Sequence, residues 1–187
     1  MAVEHRRLTL EEFLKLPEVK PALELEPDGT VTQKLSPKGR HSALQEGLCR
    51  LINAFAMPQR LAQAFPELRT IFGGAAYVPD VAVYRWERIP RTADGEVVDD
   101  FTDPRDIAVE IVSPEQSVTS LVRKCVWYVD NGVQISSLVD PDDRSVVLFR
   151  SSATPRALRG EEPIDLSNVV PGLELTVQRL FETLRGT

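Results

Sequence analysis

Two acidic residues and one lysine are the strongest candidates for chemistry in this sequence: Asp80, Glu110 and Lys124. Asp80 begins the apolar run 81–83, and Glu110 lies inside the apolar run 107–112. Two carboxylates, completed by water and a phosphate oxygen, are the usual ligands of Mg²⁺, which prefers hard oxygen donors. The pair therefore predicts a Mg²⁺ or Mn²⁺ site.

The strand that carries Glu110 is predicted to be buried on both faces. In 106–114, both alternating sets of side chains are apolar except for Glu110, which is typical of a central strand. Burying an unpaired carboxylate costs on the order of several kcal/mol of free energy, so such a group binds a cation, accepts hydrogen bonds or stays protonated. Glu110 therefore needs a partner, and the backbone carbonyl of Ile111 is a candidate third metal ligand.

Lys124 is expected to lie on the helix that follows this strand. Ser117 or Ser113 can begin that helix, and the pattern continues to about Asn131. Lys124 lies at the flank of the apolar stripe, from which it can lean toward Glu110. Its ammonium would then lie beside a metal-bound water.

Each of the three residues also has a structural interpretation. Asp80 can simply cap the turn after Pro79. Glu110 and Lys124 can form a structural ion pair, or Lys124 can be a solvated residue on its helix. Their occurrence together, in this order, favours a site.

A predicted hairpin can bring one more carboxylate to the site. Pro27-Asp28-Gly29 is a turn signal between two short strands, 22–26 and 30–35. Glu24 and Glu26 share one side of the first strand, because residues two apart point to the same face. Either of the two can face the site.

The next segment is predicted to be a long helix from Lys38 to about Phe65, with Pro58 as a break. His41 and Gln45 lie four residues apart near its start and can look toward the site. A surface or capping role is the alternative for His41.

The other segments complete a mixed α/β pattern. We predict a strand at 68–78 with a bulge or bend at Gly73-Gly74, strands at 80–84, 133–139 and 145–150, a loop or small hairpin at 85–105, and a last helix at 177–184. The predicted fold class is α/β, a mixed central sheet flanked by the helices that begin near 38 and 117.

Length and composition indicate a single domain, residues 1–187, with an N-terminal lid helix at about 9–16 and a C-terminal cap at about 160–187. No apolar run approaches the roughly 18 residues of a membrane span, and the N-terminus lacks the apolar core of a signal peptide. We therefore expect a cytoplasmic protein with no membrane partner. Cys49 and Cys125 lie in apolar helical patterns and are expected to be reduced core thiols.

The net charge of −6 argues against a protein that coats nucleic acid by bulk electrostatics. It does not exclude a nuclease, because a carboxylate-lined metal site is negative until the metal arrives. Lysine is scarce, with five residues against seventeen arginines, so each lysine is worth examining; the five are at 15, 20, 34, 38 and 124.

The order Pro79-Asp80, then Glu110 within 109–114, then Lys124 on the next helix resembles the PD-(D/E)XK nuclease superfamily. The chain is more closely similar to the bacterial putative restriction-endonuclease family, first catalogued as a domain of unknown function. Further matches to that family run from about residue 8 to 183: Leu10-Glu11-Glu12-Phe13, Glu24-Leu25, Asp28-Gly29, Ser36-Pro37, His41, Gly132-Val133, Leu138-Val139-Asp140-Pro141 and Pro171-Gly172-Leu173-Glu174-Leu175.

The resemblance implies a restriction-endonuclease-like fold and Mg²⁺- or Mn²⁺-dependent hydrolysis of DNA, with a homodimer or higher homo-oligomer as the expected assembly. The position two residues after Glu110 is Val112 rather than the superfamily's lysine. The resemblance therefore implies that Lys124 takes the catalytic role of that lysine, which is to orient the attacking water and help to deprotonate it. Glu24, His41 and Gln45 would support the metal ligands. A non-catalytic DNA- or protein-binding module with the same fold is the main alternative, and a structural self-associating protein is a third.

Overall fold

The structure is a computed structural model that describes residues 7–185. Its strands are β1 Leu23–Leu25, β2 Val31–Gln33, β3 Ala62–Pro66, β4 Thr70–Phe72, β5 Ala75–Tyr77, β6 Val81–Arg85, β7 Ile107–Ile111, β8 Ile135–Asp140, β9 Ser145–Phe149 and β10 Arg156–Arg159. Its helices are α1 Leu10–Leu14, α2 Gly39–Ala56, α3 Val118–Asp130 and α4 Val177–Glu182, with 3₁₀ turns at Trp86–Arg88 and Thr183–Arg185.

A six-stranded mixed sheet in the order β10-β9-β8-β7-β6-β3 forms the central layer. Strand β7 pairs antiparallel with β6 and parallel with β8, and all five of its residues are buried. Burial on both faces explains why its sequence is apolar in both alternating sets. The predicted α/β class and mixed sheet are confirmed.

The helices cover both faces of this sheet. Val109 belongs to the core cluster that includes Leu48 of α2 and Leu180 of α4. Ala108 packs instead in the cluster of Tyr128 on α3, because consecutive residues of a strand point to opposite faces. Helices α2 and α4 therefore lie on one face, and α3 lies on the other.

A smaller sheet, in the order β2-β1-β5-β4, lies under the N-terminal lid. The predicted lid helix is present as α1, where Thr9 and Glu12 form a capping box. Leu8 and Phe13 of this segment share a core cluster with Leu25 of β1 and Ala76 of β5. The lid is thus anchored to the small sheet by apolar burial.

The predicted helix at 38–65 is too long. Helix α2 ends at Ala56, and the segment after the predicted break at Pro58 forms β3. Asn53 explains the early return to the sheet, because its side-chain amide donates to the Ala64 carbonyl and its amide oxygen accepts from the Ala64 N–H. These two bonds tie the end of the helix to the new edge strand.

The single strand predicted at 68–78 is also wrong, because this segment is the hairpin β4–β5. Gly73 and Gly74 have φ values of +59° and +78°. Positive φ at both central residues is the signature of a tight two-residue hairpin turn, which glycine adopts without strain. The glycine pair therefore reverses the chain rather than bending one strand.

The remaining predictions are close to the observed elements. Helix α3 begins after Ser117, which caps it, and the predicted strands near 80–84, 133–139 and 145–150 correspond to β6, β8 and β9. The final strand, β10, was not predicted. Within residues 7–185, no helix combines the length and apolar character that crossing a membrane requires.

Candidate active site

The register between β6 and β7 brings the two predicted carboxylates together. Val81 pairs with Val109 in this antiparallel ladder, and extending the register by one residue sets Asp80 opposite Glu110. Directly opposed residues on antiparallel strands share one face of the sheet. Both side chains are buried, with 2% of each residue exposed, and the Ile111 N–H donates to Asp80 Oδ2 at 2.7 Å.

Lys124 reaches this pair from α3, the helix that follows the strand of Glu110. Its Nζ lies 3.0 Å from Glu110 Oε1 and donates to both carboxylate oxygens of Glu24, at 2.8 and 2.9 Å. The ammonium also lies 5.0 Å from the centroid of the Tyr77 ring. Lys124 therefore bridges two carboxylates through buried ion pairs and is not a solvated surface residue.

The choice between Glu24 and Glu26 is settled by where β1 ends. Glu24 lies inside the strand, is buried, and also accepts a 2.7 Å hydrogen bond from the Val78 N–H. Glu26 follows the last residue of β1 and accepts from the Tyr77 hydroxyl at 2.7 Å. Glu24 is consequently the residue of the hairpin that faces Lys124.

Lys34 is a second lysine at the site, and no site role was predicted for it. It follows the end of β2, and its Nζ donates to Asp80 Oδ1 at 2.6 Å and to the Val78 carbonyl at 2.8 Å. Only 8% of its side chain is exposed. The scarcity of lysine was the available signal in the sequence, since Lys34 is one of only five.

His41 and Gln45 both reach the site from the start of α2. Gln45 Nε2 donates to the Asp80 carbonyl at 2.8 Å. His41 Nδ1 lies 3.1 Å from Ser113 Oγ, and His41 Nε2 lies 3.2 Å from Asp80 Oδ1. The contact between His41 Nε2 and Asp80 Oδ1 is a close polar approach rather than a well-aligned hydrogen bond.

Tyr128 is a further contact of Glu110 that was not predicted. Its hydroxyl donates to Glu110 Oε1 at 2.7 Å, and the Arg105 guanidinium lies 4.6 Å from the centroid of its ring. Burial and the charge of Glu110 raise the pKa of Tyr128, so the phenol stays protonated and remains a donor. Its position four residues after Lys124 was a usable signal, because residues i and i+4 share a helix face.

The two carboxylates have opposite pKa shifts. Burial acts to raise the pKa of Asp80, but His41 and Lys34 outweigh burial and hold that pKa well below its usual value. Burial raises the pKa of Glu110, with Lys124 opposing the rise and Asp80 adding to it. Asp80 is therefore the more firmly ionised of the two.

Both lysines have a raised pKa. Burial acts to lower the pKa of Lys34, but Asp80 and Glu110 outweigh it. Burial likewise acts to lower the pKa of Lys124, and the charges of Glu110 and Glu24 outweigh it. Both groups are consequently ammonium ions at neutral pH and act as charged donors.

The donor chemistry of the site fits a hard divalent ion. Asp80 and Glu110 provide carboxylate oxygens on one face of adjacent strands, and oxygen ligands of this kind are those that Mg²⁺ and Mn²⁺ take. No cluster of three or more histidine, cysteine, aspartate or glutamate side chains with metal-binding geometry occurs in residues 7–185. Two carboxylates completed by water and substrate would suit Mg²⁺, which keeps several of its waters in protein sites.

The mixed sheet and the site at its β6–β7 pair place the chain in the restriction-endonuclease-like class of α/β folds. Residues 10–178 match the model of the family Uma2, described as Putative restriction endonuclease, and the chain belongs to this family. Among curated proteins, no sequence matches the chain.

A solved structure shows the same fold. The crystal structure of a putative nuclease belonging to DUF820, from Anabaena variabilis, has a TM-score of 0.90 and 38% sequence identity to this chain. The likeness covers 95% of this chain and 99% of that chain. Family and fold together indicate a nuclease-like function.

Proposed function

We propose that this chain is a metal-dependent endonuclease that hydrolyses phosphodiester bonds in DNA. The observation that carries the proposal is the opposition of Asp80 and Glu110 on adjacent strands, with two buried ammonium groups beside them. This arrangement combines oxygen ligands for a cation with positive charge for a phosphate. The family's description as a restriction endonuclease supports DNA as the substrate.

In this proposal, Asp80, Glu110 and the backbone carbonyl of Ile111 hold Mg²⁺ or Mn²⁺. The ion would lower the pKa of a bound water and polarise the phosphate. The chain's own residues fix the ligands: the Ile111 N–H and Gln45 hold Asp80, and Tyr128 holds Glu110. Each ligand is therefore oriented before a substrate arrives, which reduces the reorganisation needed for reaction.

Lys124 has the role of a charged positioning residue. It holds Glu110 in place through a contact of 3.0 Å, and Glu24 in turn holds Lys124. Because the pKa of Lys124 is raised, its ammonium stays charged and can stabilise negative charge that develops beside Glu110. It is poorly suited to take a proton from a bound water while Glu24 and Glu110 surround it.

A cleavage assay tests this function. Supercoiled plasmid, single-stranded DNA and RNA would be incubated with Mg²⁺, Mn²⁺ or a chelator. We expect cutting or nicking of DNA that requires the divalent ion. Asp80→Asn and Glu110→Gln should each lower the rate by about a hundredfold or more, since a lost ligand removes several kcal/mol of stabilisation.

The matched control is Lys38→Met, which removes an exposed lysine from its contact with Glu115 outside the site. It should leave the rate unchanged. Cleavage at the wild-type rate by both ligand variants would contradict the assignment.

A homodimer is the assembly that we propose for this activity. Residues 7–185 of each chain offer one candidate site, and cutting both strands of a duplex favours two sites related by a two-fold axis. Light scattering at micromolar concentration should give twice the mass of the chain. A monomer under those conditions would contradict this part of the proposal.

One observation favours a non-catalytic module as the second candidate. Lys34 contacts Asp80, and Lys124 contacts both Glu24 and Glu110, so each of the three carboxylates already has an ammonium contact without an added cation. DNA binding in the presence of a chelator, together with no cleavage under any metal condition, would favour this alternative.

A further inference from the structure

The two lysines of the site differ in how fully their donors are used. An ammonium group has three N–H donors. Lys124 Nζ has three carboxylate oxygens within 3.0 Å, two from Glu24 and one from Glu110. Its donor capacity is thus exhausted by the protein.

Lys34 still has hydrogen-bond donor capacity that the described residues do not use. Its Nζ contacts the Val78 carbonyl and Asp80 Oδ1, and no third acceptor for it is found among residues 7–185. The backbone is fixed at this point, because the Lys34 N–H donates to the Ala22 carbonyl at 2.9 Å and continues the hairpin. A change in the position of the ammonium would therefore come from side-chain rotation, with the strand staying in place.

Lys34 also occupies the place of a cation at Asp80. Its Nζ lies 2.6 Å from Oδ1, and the other oxygen of the same carboxylate accepts from the Ile111 N–H. A divalent ion bound by Asp80 would lie close to this ammonium. Like charges repel strongly in a buried, low-dielectric site, so the two cations cannot share Asp80 without a large loss of binding free energy.

We propose that Lys34 is a resident cation of the metal-free site, which competes with the divalent ion for Asp80 and transfers to a phosphate oxygen of the substrate. This inference rests on the proposed function and adds a regulatory property to it. A phosphodiester that draws Lys34 away from Asp80 raises the affinity for metal, and by linkage bound metal raises the affinity for the phosphodiester. Metal and substrate then bind cooperatively.

Mn²⁺ binding to the full chain, measured by isothermal titration calorimetry, tests the competition without reference to activity. Lys34→Met should bind Mn²⁺ about tenfold more tightly than the wild type, equivalent to about 1.4 kcal/mol. Adding dimethyl phosphate, the simplest phosphodiester anion, should tighten Mn²⁺ binding by the wild type. The same addition should have no effect on Lys34→Met, which has no ammonium to transfer.

A second variant guards against misfolding. Lys34→Gln keeps a hydrogen-bond donor but loses the charge, so it should also bind Mn²⁺ more tightly than the wild type. Circular dichroism identifies a variant that does not fold, and Mn²⁺ binding by the other variant then decides the test. Lys38→Met is the matched control, and its Mn²⁺ affinity should equal that of the wild type.

The outcomes separate this inference from the proposed function. Wild-type binding that Asp80→Asn abolishes, together with equal or weaker binding by both Lys34 variants, overturns the inference and leaves the metal site standing. Mn²⁺ binding by the Lys34 variants alone supports the inference. An absence of binding in the wild type and in both variants overturns the proposed metal site and the inference with it.

Discussion

Removal of the Lys124 ammonium should destabilise the metal-free protein severely. Lys124→Met keeps the length of the side chain but removes the charge that faces Glu24 and Glu110. Both carboxylates are buried, so neither can turn to water for compensation. The variant leaves two like charges close together without the cation between them.

The expected loss can be worked from burial. Breaking a buried ion pair by removing one partner costs about 3–5 kcal/mol, because it leaves an uncompensated charge. For a chain of this length, each kcal/mol corresponds to about 2–4 °C in Tm. Lys124→Met should therefore lower the Tm by about 6–20 °C in buffer without divalent ions.

Urea denaturation followed by circular dichroism measures this loss. The control is Lys38→Met, whose partner Glu115 lies in an exposed pair with side chains 57% and 66% accessible. Exposed pairs contribute about 0–1 kcal/mol, so the control should change little. The double variant Lys124→Met with Glu24→Gln should be less destabilised than the sum of the two single variants, since it removes one of the two carboxylate charges that lose their cation.

Two results would refute this reasoning. One is a loss below about 1 kcal/mol for Lys124→Met, which is the scale of a surface pair. The other is additivity of the two single variants within about 0.5 kcal/mol, which would mean that the residues do not interact.

Three further predictions concern the two carboxylates, the metal site and the packing of α2. In metal-free buffer at neutral pH, Asp80→Asn should destabilise the protein more than Glu110→Gln. The lowered pKa of Asp80 stabilises the folded state above the pKa of the unfolded chain, and this stability is lost as pH falls through the folded-state pKa, whereas the raised pKa of Glu110 favours the folded state only at lower pH. Urea titrations of both variants at pH 4 and 7 measure the two effects. Millimolar Mg²⁺ or Mn²⁺ should raise the Tm of the wild type but not of Asp80→Asn, by binding linkage, and a Tm indifferent to these ions would count against the metal site. Gly47→Ala should destabilise the protein by about 1–3 kcal/mol, because the added Cβ would lie 2.5 Å from the Cβ of Thr183. The control is Gly39→Ala, whose added Cβ meets nothing within 4 Å, so its stability should be close to that of the wild type. Equal stability of the two variants would refute this account.

The strands of the site were predictable because their sequence carries the physical reason for their position. An apolar run interrupted by one carboxylate, as at Glu110, fits a central strand that needs a polar partner. The antiparallel pairing of β6 with β7 could not be deduced in the same way. Pairing depends on which strands meet in space, and the sequence shows only that both are buried.

Lys34 shows a different limit of prediction from the sequence. It follows a short hairpin strand and lies 46 residues before Asp80, so no local period links them. Their contact exists because the small sheet packs against β7 and α3, where Tyr77 shares a core cluster with Ala108 and Tyr128. The same packing selects Glu24 over Glu26, since the strand ends between them and the chain turns away. Local patterns give candidates, and the contact between the sheets decides among them.

Charge balance connects the lysines to the proposed reaction. With Glu24, Asp80 and Glu110 all ionised, two ammonium groups leave the cluster with one net negative charge. A divalent ion would convert this to one net positive charge, which is what a phosphodiester anion neutralises. Without Lys34, the same ion would bring the cluster only to neutrality, and the site would hold metal well but attract phosphate poorly. On this reasoning, Lys34 weakens metal binding but makes the metal-loaded site cationic.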